Sequence, residues 1–379
     1  MIEYLYANNY KTLVNFEVKF NKTNVLIGKS GAGKSTVLFL LGCLRDFMAG
    51  TVNITECFPN FSKTVWYGSA VQTFEIGYLR DGKHFTYHLE IDHSENEQNC
   101  TVKYESVKYE NTIILEEKNG KAELYNDDFE LSNSIQADMS RSGLNFVFAG
   151  NGNKKLSEFK NEAVGNVIIC EPNPKNMIVF SSNGIDNAFP DSSFSNIISV
   201  YAYLSQAHPE VIYKLWEQLR EINPAFVQTN AKITQYGKTM YTSYNVGEES
   251  SAFSFNLMQL SDGERKLLAL YLLLYAYLEN GMTVLIDEPE NYLGLREVQP
   301  WCAEVDMICN ESENGGQCIF ASHHPETIDY YANNSAIWMS RINSGESKIA
   351  MNNPLIFAED DSLMKYSELI AKGYWNEAQ

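Results

Sequence analysis

Residues 24–36 read NVLIGKSGAGKST: an apolar run, a glycine-rich turn, then Lys34, Ser35 and Thr36 at the head of a second apolar run. Gly28, Gly33, Lys34 and Ser35 fit G-x-x-x-x-G-K-[ST], and a strand before with a helix after is the setting in which that pattern forms a phosphate loop. The reading predicts a strand over 24–27 and a helix over 36–44. Between them Gly28, Lys29, Ser30, Gly31, Ala32 and Gly33 would wrap backbone N–H groups around phosphate oxygens, helped by the positive end of the helix dipole. Lys34 would reach the β- and γ-phosphates and the Ser35 hydroxyl would ligate Mg²⁺, with Thr36 the last residue of the loop. The expected ligands are ATP and Mg²⁺.

A second piece of such a site lies far along the chain, at 282–290, MTVLIDEPE. Residues 284–286 predict a short buried strand, with Asp287 and Glu288 at its C-terminal end, where ligands bind in open α/β sheets. Asp287 is placed to hold the Mg²⁺ through water, as a Walker B aspartate does. Glu288 is then the candidate base that polarises the attacking water.

The stretch 260–265, LSDGER, opens a long apolar helix that runs to about residue 278, before an Asn280-Gly281 stop. Ser261 and Glu264 make an S-x-x-E capping box, which alone accounts for the pattern locally. A Ser-Asp-Gly helix start also offers an anion a hydroxyl and a set of N–H groups, through Ser261 and Gly263. The chain's own phosphates already have the loop at 28–36. The natural client is the γ-phosphate on a second copy.

These motifs together resemble an ABC-type ATPase, with LSDGER standing where that class carries LSGGQ. Within it the chain is most similar to the soluble branch of SMC, RecF and OLD-like ATPases, and especially to the small AAA-type ATPases of bacterial defence and toxin–antitoxin modules. Asn9-Tyr10-Lys11-Thr12 resembles the N-F-K/R-S start of that branch, which implies that Lys11 contacts the nucleotide. Residues 219–226, LREINPAF, resemble its helix before the signature, and Glu288-Pro289-Glu290-Asn291 continues the Walker B. Residues 320–326, FASHHPE, resemble its T-S-H-x-P-E switch, which implies that His323 senses the γ-phosphate. The resemblance implies an α/β fold: an ABC-type head with a P-loop core, a β-rich N-terminal lobe and an inserted, partly helical lobe. It is weakest over 126–201.

The chain departs from that pattern in three places. Tyr292-Leu293-Gly294-Leu295 stands where a Leu-His-Pro run is usual, Lys29 stands where proline is usual, and no glutamine is secure as a Q-loop. Gln72 sits at a plausible distance, yet reads better as an ordinary loop or strand residue. His323 and His324 are neighbours at a strand end, so their side chains diverge and cannot chelate one metal.

Composition narrows the class. At 379 residues and a formal charge of −19, the chain is poorly suited to sequence-independent binding of duplex DNA, which rests on neutralising phosphates with Lys and Arg. A local basic patch has room in 1–47, where Lys11, Lys19, Lys22, Lys29, Lys34 and Arg45 stand against Glu3, Glu17 and Asp46, yet several of these belong to the nucleotide, so a nucleotide site with solvated lysines is the favoured reading. The seven cysteines show no C-x-x-C spacing, consistent with reduced thiols in a cytoplasm. No signal-peptide pattern opens the sequence, and the longest apolar stretch, 267–278, is too short to span a bilayer. A cytoplasmic protein with no membrane partner is expected.

Along the chain the motifs suggest 1–125 as the β-rich lobe with the phosphate loop, including strands over 71–79 and 85–91 and a hairpin around Asn119-Gly120. Residues 126–250 read as a polar, loop-rich insert containing a helix over 208–222, with Val211, Leu215 and Leu219 on one face. Residues 251–379 restore the ATPase core. No sustained heptads appear, so no long coiled coil is expected. In the tail, Leu363, Tyr366 and Ile370 fall at helical spacing, followed by Tyr374 and Trp375. Glu359-Asp360-Asp361 reads as a solvated acidic helix start rather than a nuclease centre.

Three functions fit. The first is an ATP-driven switch subunit that forms a homodimer or higher oligomer and controls a protein effector, such as a nuclease or toxin. The second is a DNA repair or recombination ATPase of RecF or SMC type, disfavoured by acidity and the lack of coiled-coil arms. The third is a transporter's nucleotide-binding subunit, disfavoured by the long interval from Lys34 to Asp287.

Overall fold

The computed structural model describes residues 1–96, 99–147, 152–178, 180, 186–245, 252–341, 345–349 and 364–372. In chain order its strands and helices begin β1 (Ile2–Asn8), β2 (Phe16–Lys19), β3 (Thr23–Gly28), α1 (Lys34–Ala49), α2 (Ile54–Cys57), β4 (Val71–Arg80), β5 (Lys83–Asn96), β6 (Asn99–Tyr109), β7 (Thr112–Lys118), β8 (Lys121–Tyr125) and β9 (Leu131–Gln136). They continue with α3 (Lys154–Lys160), β10 (Val167–Cys170), α4 (Ile197–Ala207), α5 (Pro209–Ile222), β11 (Phe226–Thr234), β12 (Gly237–Asn245), β13 (Ala252–Asn256), α6 (Asp262–Ala276) and β14 (Thr283–Asp287). Last come α7 (Leu295–Glu311), β15 (Gln317–Ser322), α8 (Pro325–Tyr331), β16 (Ala336–Arg341), β17 (Ser347–Ile349) and α9 (Tyr366–Ala371). The chain divides into two compact units, Met1–Val167 with Tyr331–Gln379, and Ile168–Tyr330.

The first unit is built on an eight-stranded antiparallel sheet in the order β2-β1-β4-β5-β6-β7-β8-β9. Its strands alternate apolar and polar residues, so one face is buried: in β4 Phe74 and Ile76 are covered while Thr73 and Glu75 are partly open. The Asn119-Gly120 turn joins β7 to β8 as expected, with both residues at positive φ, 52° and 71°, as a two-residue hairpin of right-handed twist demands. The sheet continues past residue 125, where β9 pairs with β8. Beside it, β3 runs parallel to β16, and β16 antiparallel to β17. Tyr10, Phe47, Phe58 and Phe74 form one aromatic cluster, with ring centroids 5.0–6.4 Å apart. It ties the back of α1 to the sheet. Helix α1 ends at Gly50, whose φ of 74° suits a left-handed C-cap.

The second unit is organised around α6. From Leu267 to Tyr275 every residue of this helix is buried, so it is a core helix rather than an amphipathic one. Each of those leucines contributes roughly 2 kcal/mol by leaving water. Helix α5 covers it with Val211, Ile212, Leu215 and Leu219. The 208–222 helix is therefore present, starting at Pro209. Strands β14 and β15 pair in parallel with almost continuous burial, as strands covered on both faces must.

The region read as a loop-rich insert holds more regular structure than its polarity suggests. Helix α4 precedes α5, and β11, β12 and β13 form a three-stranded antiparallel sheet. A Lys238–Asp186 ion pair at 2.6 Å, largely shielded from water, anchors the β11–β12 hairpin. Among the described residues the longest helix, α7, has 17 residues, and no helix is long and apolar enough to cross a membrane. No long coiled coil is present among them.

Candidate functional site

In the first unit the loop after β3 adopts the backbone that its glycines predict. Gly31 and Gly33 lie at φ 80° and 100°, where L side chains are strained. Gly28 is required for a different reason, close approach: a Cβ there would fall 2.3 Å from the Met339 carbonyl oxygen on neighbouring β16. A Cβ on Gly33 would fall 2.5 Å from Ser347 Oγ and 3.2 Å from Thr12 Oγ1. Those two hydroxyls are 2.7 Å apart, so the Asn9–Thr12 turn and β17 brace the loop together.

Lys34 folds back over the loop, its Nζ donating to the Gly28 carbonyl at 2.8 Å and that of Lys29 at 3.2 Å. Lys29, Ser30, Gly31 and Ser35 are exposed, Thr36 is half-buried and Ala32 is buried. Helix α1 begins at Lys34, with Gly33 as its N-cap, with no acidic residue in its first turn and, among the described residues, no side chain hydrogen-bonded at its cap. Its first N–H groups and its dipole therefore face the loop without a built-in anion. This is a cradle that fits a phosphate, with the Ser35 hydroxyl presented beside it.

Lys11 lies next to α1, its Nζ 4.4 Å from the Phe39 ring centre, in a turn where Asn9 and Lys11 both have positive φ. Gln72 holds that turn from beneath. It is a buried residue of β4 whose Nε2 donates to the Asn9 carbonyl at 2.9 Å and to Ser62 Oγ at 3.1 Å, and whose Oε1 meets His93 Nε2 at 2.8 Å. Its amide is fully engaged in structure, as an ordinary strand residue would be.

The second unit gathers the remaining motifs. Strand β14 delivers Asp287, and the chain then turns sharply at Glu288, whose φ is 46°. A non-glycine residue in that region carries strain of order 1–2 kcal/mol, which the surroundings must hold. The Glu288 N–H bonds to the Ala321 carbonyl at 3.0 Å, and its carbonyl accepts from Asn291 N–H at 3.2 Å. Its carboxylate is gripped at both oxygens: Asn291 Nδ2 donates to Oε2 at 2.7 Å, and His323 Nδ1 lies 3.0 Å from Oε1. His323 remains mostly exposed at the end of β15. His324 has a local task of its own: its Nδ1 accepts the Glu326 N–H at 3.3 Å and so caps α8.

Glu290 and Lys266 carry more weight than the sequence reading gave them. Glu290 is buried, and its Oε1 accepts from Ser322 Oγ at 2.7 Å and lies 3.4 Å from the His323 backbone nitrogen. Lys266, only 1% exposed, donates to the Pro172 carbonyl at 2.9 Å and approaches that of Glu288 at 3.5 Å. Burial pushes its pKa down to about 8, against the pull of neighbouring acidic groups including Glu290, Glu171 and Glu288. Burial, with Asp287 nearby, raises the Glu171 carboxyl. A signal for Lys266 exists in the sequence: it stands at the head of the buried run KLLALYLLLY, where a solvated lysine has no place.

At the start of α6 the predicted capping box forms in full. Ser261 Oγ accepts the Glu264 N–H at 3.2 Å, and Glu264 Oε2 accepts from both the N–H and hydroxyl of Ser261 at 2.8 Å. Ser261 is exposed. Gly263 is needed because a Cβ there would sit 3.0 Å from the Tyr292 carbonyl oxygen, and Tyr292 itself has φ 77°. The signature start is thus fitted against the segment that follows the Walker B strand. Asp262 and Pro174 both accept from the guanidinium of Arg265, which locks the first turn in place.

The fold and these motifs define an ABC-type ATPase head, an α/β P-loop ATPase. Residues 171–329, which hold Ser261, Asp287, Glu288 and His323, match the family model described as "AAA domain, putative AbiEii toxin, Type IV TA system". Over that stretch the chain is similar to the AAA-type ATPases of that family, while the glycine-rich loop at 28–36 lies outside it. No curated protein matches the chain significantly. Among solved structures it is similar to the SMC head domain from Thermotoga maritima, with a TM-score of 0.47 and 10% identity, covering 92% of this chain and 98% of that one.

All seven cysteines are buried and free of disulfides. In the tail only 364–372 are described, and there Leu369 is the buried anchor of α9. Leu363, Glu359-Asp360-Asp361, Tyr374 and Trp375 lie outside the described residues.

Proposed function

We propose that this chain binds and hydrolyses ATP as a switch subunit: two copies pair head to head and control a protein effector in a bacterial anti-phage defence or toxin–antitoxin system. The observation that carries the reading is the Glu288 carboxylate, aimed by a strained turn and gripped by Asn291 and His323. A group held that rigidly at the end of a buried strand is suited to orient water for attack on a γ-phosphate. The glycine cradle at 28–36 binds and aligns the nucleotide phosphates, and Lys11 flanks it. Ser35 and Asp287 would hold Mg²⁺, which neutralises charge developing on the phosphates. Ser261 and Gly263 present a hydroxyl and N–H groups to the nucleotide of the second copy, so each site is completed by its partner.

Nucleotide held between two heads fixes their relative orientation, and loss of the γ-phosphate releases it, which an attached effector can read as two states. The family match supports a defence or toxin–antitoxin setting. The effector itself would be a nuclease or toxin. The test compares Glu288→Gln, which should bind ATP and stall, with Lys34→Ala, which should not bind it. Effector output, read as nucleic-acid cleavage or growth arrest with and without phage, should lock in opposite states. Identical output from both variants, with the complex intact, would reduce the ATPase to a scaffold.

A further inference from the structure

Lys266 sits one turn into α6 and is buried, so its ammonium is removed from water. A buried ammonium persists only where fixed acceptors and counter-charge replace its hydration. Here the acceptors are two carbonyls, Pro172 O at 2.9 Å and Glu288 O at 3.5 Å, the second long enough to act through charge and dipole rather than as a short hydrogen bond. The counter-charge comes from carboxylates, with Glu290 the most deeply buried of them. One oxygen of Glu290 is committed to Ser322 and the His323 backbone, and its Oε2 is buried without a hydrogen-bond partner among the described residues. The ammonium of Lys266 therefore ties the Pro172 carbonyl to the carbonyl of the strained residue Glu288, with the buried Glu290 carboxylate a longer-range counter-charge.

We propose that Lys266 is a positioning residue for the hydrolytic step, holding the Glu288 turn and, through Glu290, the His323 loop in the arrangement that brings their side chains together. This rests on the assignment of Glu288 and His323 made above. Without the cation the left-handed turn loses one of the two groups at its carbonyl, and Glu290 is left buried without its counter-charge. The phosphate loop draws on none of these contacts. Substitution should therefore impair turnover and spare binding.

The test uses the full-length chain with Lys266→Met, of similar length but uncharged, and Lys266→Arg, which keeps a cation. Lys266→Met should lower kcat about 10-fold or more while affinity for a non-hydrolysable ATP analogue stays within about 2-fold, and Lys266→Arg should recover most of the loss. Parent kcat in folded Lys266→Met, or parallel loss of turnover and ATP binding, overturns the proposal. Should Lys266→Met fail to fold, Lys266→Met combined with Glu290→Gln removes the stranded charge and is measured in its place. Amide hydrogen exchange gives a readout that needs no hydrolysis: the Asn291 N–H, bonded to the Glu288 carbonyl, should exchange about 10-fold faster in either cation-free variant. Unchanged exchange overturns the proposal even if wild type proves inactive, whereas inactivity of wild type with accelerated exchange overturns only the assignment of Glu288 as base.

Discussion

Glu288 Oε1 and His323 Nδ1 lie 3.0 Å apart, bridging the ends of two parallel strands whose last paired residues are Asp287 and Ala321. The contact adds a side-chain tie to the backbone bond from Glu288 N–H to the Ala321 carbonyl, so the two strand ends are joined twice. On the far side of the same carboxylate Asn291 donates at 2.7 Å, so both Glu288 oxygens have a partner.

That arrangement predicts a graded series. Glu288→Gln should lower kcat by about 10² or more, the ordinary worth of a positioned base. His323→Ala and Asn291→Ala each remove one grip and should cost roughly 10-fold, with ATP binding preserved in all three. Steady-state hydrolysis beside equilibrium ATP binding separates the effects. Parent kcat in Glu288→Gln would remove it from the base role.

The phosphate loop should be intolerant at Gly33 for two independent reasons, a φ of 100° and a Cβ only 2.5 Å from Ser347 Oγ. Gly33→Ala is expected to weaken ATP binding by about 10-fold or more, because shifting the loop misplaces the N–H groups around the phosphates. Adding Ser347→Ala relieves the contact but leaves the backbone strain. Recovery should therefore be partial, as read by titration with a fluorescent ATP analogue.

A third prediction concerns stability in the first unit. Glu105 and Glu117 are both fully buried in the large sheet and converge on Gly143, where Glu105 accepts the N–H at 2.7 Å and the Tyr87 hydroxyl at 2.8 Å. Burial first, and then the charge of Glu105, push Glu117 up to about 8. In the unfolded chain its pKa is about 4.3. Between those values the folded protein holds a proton that the unfolded chain has released, so this group's stabilising contribution is complete at low pH and falls as pH rises to about 8. Glu117→Gln should flatten that slope and be the more stable form at pH 8, by an amount on the order of a few kcal/mol. Denaturant midpoints of both proteins across this range measure it, and parallel slopes would contradict the assignment.

Legibility from sequence followed the range of the interactions. The glycine-rich turn between β3 and α1, the Asn119-Gly120 hairpin, the α5 stripe and the Ser261–Glu264 cap are all set within a few residues, and each stands in the structure. The three-stranded sheet of β11, β12 and β13 was hidden because its strands are mostly polar and carry no clean alternation. Ser347 braces Gly33 from 314 positions away, Lys266 meets Glu288 across 22, and Glu290 meets Ser322 across 32. Local periodicity has no access to such pairings. Burial does betray one of them, Lys266, through the apolar run it heads.

The central claim is a site completed by a second copy of the chain, and mixing two crippled variants tests it most directly. Lys34→Ala removes nucleotide binding and Ser261→Arg blocks the surface offered to a partner's phosphate, so each protein alone should be nearly inactive. When the two are mixed in equal amounts, mixed pairs hold one intact site, and turnover should return to about a quarter of wild type if copies exchange at random and sites act independently. Failure to recover activity at any ratio, with mixed pairs shown to form, would contradict the account, as would undiminished hydrolysis by Ser261→Arg alone.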